Sequence, residues 1–264
     1  MNSMIGFFLR KAFYDGWDNL LALMTVNIVM LAVGFCGFFL AGLVSSFVPL
    51  SVAVALACAL AEGVLLMACS KSMSRIASYK PFSFKEFGVA LRETCLHGAL
   101  FAGLVSVGLS VAAVAIPYYL SIGGPVGLAC ALLLFWVAVI SALSLQWFMP
   151  IRSQLEKGFV ASLKKSFVFF FDNPGFSVFM FAYSLVLLVL SLLVVMILPS
   201  FAGISLAQNE AFRLRMYKYD WMEKHPELEW REARKRIPWD ELIAGDYETV
   251  GHRSVKSFIF PWMD

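Results

Sequence analysis

Long uninterrupted apolar runs constrain this chain more than any other feature of its sequence. A helix needs about 20 apolar residues to cross a bilayer, and five runs reach or approach that length. They cover 20–46, 49–70, 96–119, 125–149 and 176–198. Hydrophobic residues make up 60% of the 264 positions, whereas a soluble domain is apolar at about half of its positions. The sequence therefore predicts an all-α fold, a polytopic transmembrane helix bundle.

Residues 1–19 predict an interfacial helix that precedes the bundle. Arg10 and Lys11 are followed by Asp15 and Asp18, and the apolar run after them is too long for a secretory signal peptide. The aromatic side chains of an interfacial helix lie at the level of the lipid headgroups. Here they are Phe7, Phe8, Phe13 and Trp17.

Basic residues predict the orientation of the spans. The turns at 46–49 and 118–125 carry no charge, whereas the N-terminus and the connections 71–95 and 150–175 are basic. Lysine and arginine are in excess in the cytoplasmic segments next to membrane spans. We therefore expect the N-terminus and both basic connections in the cytoplasm, with amphipathic elbow helices in those connections.

The chain after the fifth span has two interpretations. Five crossings from a cytoplasmic start would place the C-terminal tail outside, but Arg213, Arg215 and Lys218 favour the cytoplasm. A sixth crossing over 200–217, with its polar face shielded in the bundle, would make the number of spans agree with a cytoplasmic location of these basic residues. The bundle then covers 20–217, and we expect the tail in the cytoplasm.

The tail, 218–264, is expected to form short helices and an extended end rather than a domain. Pro261 keeps the end of the chain from being helical. Phe258, Phe260 and Trp262 then fall on one side of an extended segment, where they would bury a large apolar area. We expect these three residues to dock on the protein's own elbows or on a partner subunit.

Four polar residues lie inside or at the edge of four different spans. Glu62 lies nine residues before Lys71, roughly 13 Å along a helix from the cytoplasmic end of its span. Asn27 lies at a similar predicted depth, Gln146 is slightly shallower, and His97 begins the third span. Because an ionisable group inside a bilayer normally faces the bundle and has a partner, we expect one polar cluster. It is either a substrate or proton site, or hydrogen-bonded glue between helices.

The sequence lacks the motifs of several catalytic classes. It contains no GxxxxGK[ST] phosphate loop, no HExxH zinc motif and no GxSxG nucleophile elbow. The five cysteines form no CxxC pair, and the three histidines are too dispersed for an obvious metal site. The basic cluster of the tail alternates with glutamates, which favours a solvated helix face over a nucleic-acid surface. We predict a non-enzymatic protein with no cofactor, no metal and no nucleic-acid partner.

The layout resembles the YesL-like family of bacterial membrane proteins over about residues 5–220. The resemblance lies in an aromatic elbow leading into DNLLALMTVNIVMLAVGF, in the basic connector SFKEFGVALRETCLHGAL, and in the elbow LKKSFVFFFDNPGF before a leucine-rich span. Members of that family are small polytopic proteins without an assigned biochemical function, often encoded beside sugar-uptake and glycan-degradation systems. The resemblance implies no catalytic residues.

Two functions follow as expectations. The first is an accessory or assembly partner of a carbohydrate transport system in the bacterial inner membrane, with the bilayer and the transporter subunits as its partners. The second is a transporter or channel in its own right, with a midmembrane polar site around Glu62. Co-purification with transporter subunits favours the first, and saturable uptake by the purified protein in liposomes favours the second.

Overall fold

The structure, a computed structural model, describes residues 2–227, 229, 232 and 236–250. These residues form eleven helices and no strand. The helices are α1 (Asn2–Asp18), α2 (Leu20–Leu43), α3 (Val48–Ala77), α4 (Phe84–Ile122), α5 (Gly124–Leu145), α6 (Phe148–Leu155), α7 (Phe159–Asp172), α8 (Pro174–Leu193), α9 (Ser200–Lys224), α10 (Trp239–Leu242) and α11 (Ala244–Val250).

Five helical segments within these residues are long and apolar enough to cross a membrane. They are α2, α3, α4, the stretch Gly124–Leu155 that contains α5 and α6, and α8. Each coincides with one of the five predicted runs, so the prediction of an all-α polytopic bundle is confirmed. By length and composition, α9 does not belong to this group.

The chain divides into two compact units. The membrane unit comprises residues 19–209 and contains all five apolar segments. The terminal unit comprises α1 and the described residues from Glu210 to Val250. Helix α9 contributes its residues up to Asn209 to the membrane unit and its remaining residues to the terminal unit.

Two glycine contacts bring helices of the membrane unit close together. A Cβ built on Gly63 of α3 would lie 2.6 Å from the Gly98 carbonyl oxygen of α4. A Cβ on Gly37 of α2 would lie 2.4 Å from the Cys58 sulfur of α3. Both distances are too short for a side chain, so glycine is required where these helices cross. Close packing of small residues is a main source of helix association in bilayers.

An apolar core joins α2, α3 and the first part of α9. Its fully packed members are Leu23, Val26, Met30, Cys69, Met73, Ile76, Ala202 and Leu206. The α2 and α3 members recur three or four residues apart, which puts them on one face of each helix. Helix α9 therefore begins inside the membrane unit, packed against two of the apolar helices.

The basic connection predicted over 71–95 is shorter in the structure. Helix α3 has 30 residues and α4 has 39, so they are about 45 and 58 Å long, whereas the hydrocarbon core of a bilayer is about 30 Å thick. Both helices continue through the basic residues beyond their apolar runs and leave only 78–83 between them. The length of an apolar run indicates which residues cross the membrane, but it does not indicate where the helix ends.

The N-terminal helix is more buried than an interfacial helix would be. Phe7 and Phe8 are fully buried, and only Phe13 and Trp17, at 46% and 50% exposure, keep the surface position predicted for all four aromatic residues. Within the terminal unit the Phe7 ring lies 4.5 Å from the Tyr247 ring of α11, centroid to centroid. Helix α1 and the described residues from Glu210 to Val250, which the sequence treats as separate elements, thus form one unit.

Candidate functional site

The structure does not join the four predicted cluster residues by hydrogen bonds. Asn27, fully buried in α2, instead binds the chain that leads into α9. Its amide nitrogen donates to the carbonyl oxygens of Ile197 and Pro199, at 2.9 and 3.0 Å, and its amide oxygen accepts from the Ala202 N–H at 2.9 Å. The first N–H groups of a helix lack intrahelical partners. Asn27, from a distant part of the sequence, supplies the hydrogen-bond acceptor for one of these N–H groups, that of Ala202.

Gln146 likewise forms hydrogen bonds between two helices of the membrane unit. Its side-chain nitrogen donates to the Leu143 carbonyl of its own segment and to the Ser177 carbonyl of α8, both at 2.9 Å. The indole N–H of its neighbour Trp147 donates to the Ser177 hydroxyl at 2.9 Å. These bonds attach the end of α5 to the first turn of α8.

Glu62 and His97 take part in neither of these sets of hydrogen bonds. The Glu62 side chain reaches Gly34 of α2, where a Cβ would lie 3.3 Å from its Oε1 atom. Within the described part of the chain, Oε1 of Glu62 and Nδ1 of His97 are buried and accept or donate no hydrogen bond.

A polar network that the sequence did not predict connects α3, α6 and α9. The Asn209 amide donates to the Ser70 hydroxyl at 3.0 Å, and the Ser153 hydroxyl donates to the same oxygen at 3.0 Å. Gln154 donates to the Asn209 carbonyl at 2.8 Å, and Asn209 also donates to the Ser205 carbonyl at 2.8 Å. Gln208, Asn209 and Glu210 interrupt the mostly small and apolar stretch 200–207, and this interruption is the sequence signal that could have indicated the network.

The terminal unit contains a buried cluster of charges. Lys11 of α1 and Glu210 of α9 are both fully buried, and Lys11 Nζ lies 3.8 Å from Glu210 Oε1. Lys11 also forms an ion pair with Asp15, one turn further along α1. Burial raises the pKa of the Glu210 carboxyl well above its usual range, Lys11 lowers it, and Asp15 raises it further. Two carboxyl groups therefore compete for one ammonium group.

A second polar contact in the terminal unit holds α11 on α9. The Tyr217 hydroxyl donates to Asp246 Oδ2 at 2.8 Å, and the Arg213 guanidinium lies 3.6 Å from Asp246 Oδ1. Burial raises the pKa of the Tyr217 hydroxyl, so this group keeps its proton and remains a donor. The Arg215 guanidinium lies 5.4 Å from the centre of the Trp239 ring of α10, within cation–π range.

These polar groups mainly hold helices together. In the described residues, no group of three or more His, Cys, Asp or Glu side chains is placed to hold a metal ion. The side chains of Asn27, Ser70 and Asn209 bond to one another's helices through hydroxyl, amide and carbonyl groups, and Lys11 pairs with acidic groups of the terminal unit. The predicted docking residues Phe258, Phe260 and Trp262 lie outside the described residues.

Comparison with known proteins gave no match. No family model matches the chain, and neither the curated proteins nor the solved structures include a protein that matches it.

Proposed function

We propose that this protein is a non-enzymatic integral membrane protein that acts as an accessory or assembly partner of a carbohydrate transport system. The terminal unit is the observation that carries the proposal. Helix α1 and the described residues from Glu210 to Val250 build it, and buried charges and aromatic rings stabilise it. A folded unit of this kind offers a stable docking surface to other subunits. The carbohydrate assignment rests on the resemblance to the YesL-like family.

The use of the intramembrane polar residues supports an accessory role over a transport path. Both amide atoms of Asn27, and the amide nitrogen of Gln146, bond to carbonyl and N–H groups that begin or attach a neighbouring helix. Ser70 and Asn209 are likewise bonded between helices. Groups that already hold helices together are not available to coordinate a solute. This supports the interpretation of these residues as helix glue.

We place the protein in the bacterial inner membrane with both ends in the cytoplasm. The contact of Lys11 with Glu210 puts α1 and the start of the C-terminal segment in one compact unit, which favours a common side of the membrane. An even number of crossings then separates Asp18 from Glu210. A sixth pass satisfies this count, and the basic connections favour the cytoplasm.

Co-purification tests the proposal. The full-length tagged protein, extracted from native membranes in mild detergent, is expected to bring down the permease or ATPase subunits of a transport system. The Lys11→Met variant, which disrupts the terminal unit, is expected to lose them, and Arg10→Met, which removes an exposed charge from the same helix, is expected to keep them. Capture of the same subunits by Lys11→Met, or of no transporter subunit by the wild type, contradicts the proposal.

A transporter or channel around Glu62 is the second candidate function. The observation that favours it is the buried Oε1 atom of Glu62, which forms no hydrogen bond within the described residues. Intramembrane carboxyl groups often mark solute or proton paths. Saturable sugar uptake by the purified protein in liposomes, lost in Glu62→Gln, would favour this function over the accessory role.

A further inference from the structure

One face of α7 is apolar, basic and exposed. Val160, Val168 and Phe171 are 61%, 67% and 65% exposed, and Lys164 and Lys165 are exposed between them in the sequence. The spacing of three and four residues aligns Val160, Lys164, Val168 and Phe171 along one side of the helix. Within the described part of the chain, neither lysine forms an ion pair.

The opposite face of α7 is packed against the membrane unit. Its buried side chains are Ser162, Ser166, Phe169 and Phe170. The Phe169 ring lies 4.6 Å from the Trp147 ring, and the Phe159 ring lies 5.1 Å from the Phe148 ring of α6. Trp147 is itself fully buried. These contacts fix the rotation of α7 about its axis, so the apolar and basic face points away from the protein.

Short connections hold α7 close to the membrane. Only residues 156–158 separate it from the apolar segment Gly124–Leu155, and only Asn173 separates it from α8. Three residues reach at most about 11 Å. The exposed face of α7 therefore remains near the level at which two membrane-spanning segments leave the bilayer.

We propose that α7 lies in the membrane interface and binds anionic phospholipids. Val160, Val168 and Phe171 insert among the upper acyl chains, as the apolar face of an interfacial helix does. Lys164 and Lys165 bury their methylene stems and place their ammonium groups at the lipid phosphates. Anionic headgroups attract juxtamembrane lysines strongly enough that each lysine strengthens binding roughly fivefold at low ionic strength. This inference does not depend on the proposed accessory role.

Competition between lipids tests this inference. The full-length protein is incubated in mild detergent with equimolar phosphatidylglycerol and phosphatidylcholine, separated from free lipid, and its retained lipids are quantified by mass spectrometry. The wild type is expected to retain an excess of phosphatidylglycerol. Lys164→Glu with Lys165→Glu is expected to lower the ratio of the two lipids at least fivefold. Soluble glycerol phosphate is expected not to compete, because it lacks the acyl chains that the apolar residues bind.

Matched variants separate the role of this face from general charge and from misfolding. Lys224→Glu with Arg236→Glu makes the same charge change at exposed positions of the terminal unit and is expected to keep the wild-type ratio. Lys164→Gln with Lys165→Gln, a milder change, is expected to lower the ratio while the thermal unfolding temperature stays unchanged. Equal lipid ratios in the wild type and both lysine variants would overturn the inference. So would protection of α7 by a co-purifying protein without phosphatidylglycerol enrichment.

Discussion

Replacing Lys11 with methionine is expected to lower the free energy of unfolding of the terminal unit by about 3–5 kcal/mol. Breaking a buried ion pair from one side leaves its partner charge uncompensated, and losses of that size are typical. Lys11 is fully buried and forms an ion pair with Asp15, so its loss leaves the Asp15 carboxylate without a partner beside the buried Glu210. Because the two units can open separately, amide hydrogen exchange over 210–224 measures the effect.

Arg10→Met is the control for this prediction. Arg10 precedes Lys11 but is exposed, so its loss should change the free energy of unfolding by less than about 0.5 kcal/mol. Asp15→Asn in the Lys11→Met background is expected to recover part of the loss, since it removes the carboxylate that has lost its ion-pair partner. Equal exchange rates in Lys11→Met and Arg10→Met would show that the buried pair does not stabilise the unit.

The same cluster predicts how the stability of the terminal unit depends on pH. The folded pKa of Glu210 lies above its unfolded value, because burial penalises the charged carboxylate. The folded state then holds a proton that the unfolded state releases. The contribution of Glu210 is fully present below the unfolded pKa, near 4.5, and is lost as the pH rises through the folded pKa. Glu210→Gln is expected to remove this dependence.

Asn27→Ala is expected to destabilise the membrane unit by roughly 2–4 kcal/mol. The substitution removes three hydrogen bonds, each with a net value of about 0.5–1.5 kcal/mol. It also leaves polar backbone groups at the start of α9 without a hydrogen-bond partner. Unfolding in mixed micelles with dodecyl sulfate measures the change. The Ala202 amide, which loses its acceptor, is also expected to exchange hydrogen faster.

Thr25→Ala is the control for Asn27. Thr25 is exposed on the same helix, and its hydroxyl bonds only to the Leu21 carbonyl one turn earlier. Its replacement should change the free energy of unfolding by less than about 0.5 kcal/mol. If Asn27→Ala lowered the free energy of unfolding as little as Thr25→Ala, the start of α9 would not need the hydrogen bonds of the Asn27 amide.

The spans could be predicted from the sequence because apolar run length is a local property. Five runs of sufficient length indicate five helices regardless of how those helices pack. The ends of α3 and α4 could not be predicted in this way, since both helices continue through basic residues at which the apolar pattern stops. Local hydropathy describes the contact of a helix with lipid and does not describe its length.

The partners of the polar residues could not be predicted, because they depend on contacts between distant parts of the chain. Asn27 was recognised as a buried polar group, but its partners lie more than 165 residues further along the chain. Predicted depth alone placed it beside Glu62 and Gln146. Depth along a helix gives no information on which side of that helix a residue faces or which helix lies next to it.

The charges near the membrane show the same limit. Lys11, Arg215 and Lys218 were interpreted as signals of a cytoplasmic location, yet they are 0%, 6% and 2% exposed in the structure. Positive charges orient a chain when they stay at the membrane surface. Charges that are buried in ion pairs and against aromatic rings also stabilise the terminal unit. A count of basic residues in the sequence does not distinguish such charges from those at the membrane surface.

Fusion reporters at the two ends of the chain test most directly that α1 and the segment that begins at Glu210 lie on one side of the membrane. Fluorescent protein and alkaline phosphatase are fused in turn to the N-terminus and to the C-terminus of the full chain in a bacterial host. We expect fluorescence and no phosphatase activity at both ends. Active phosphatase with a dark fluorescent protein at the C-terminus, and the reverse at the N-terminus, would contradict it.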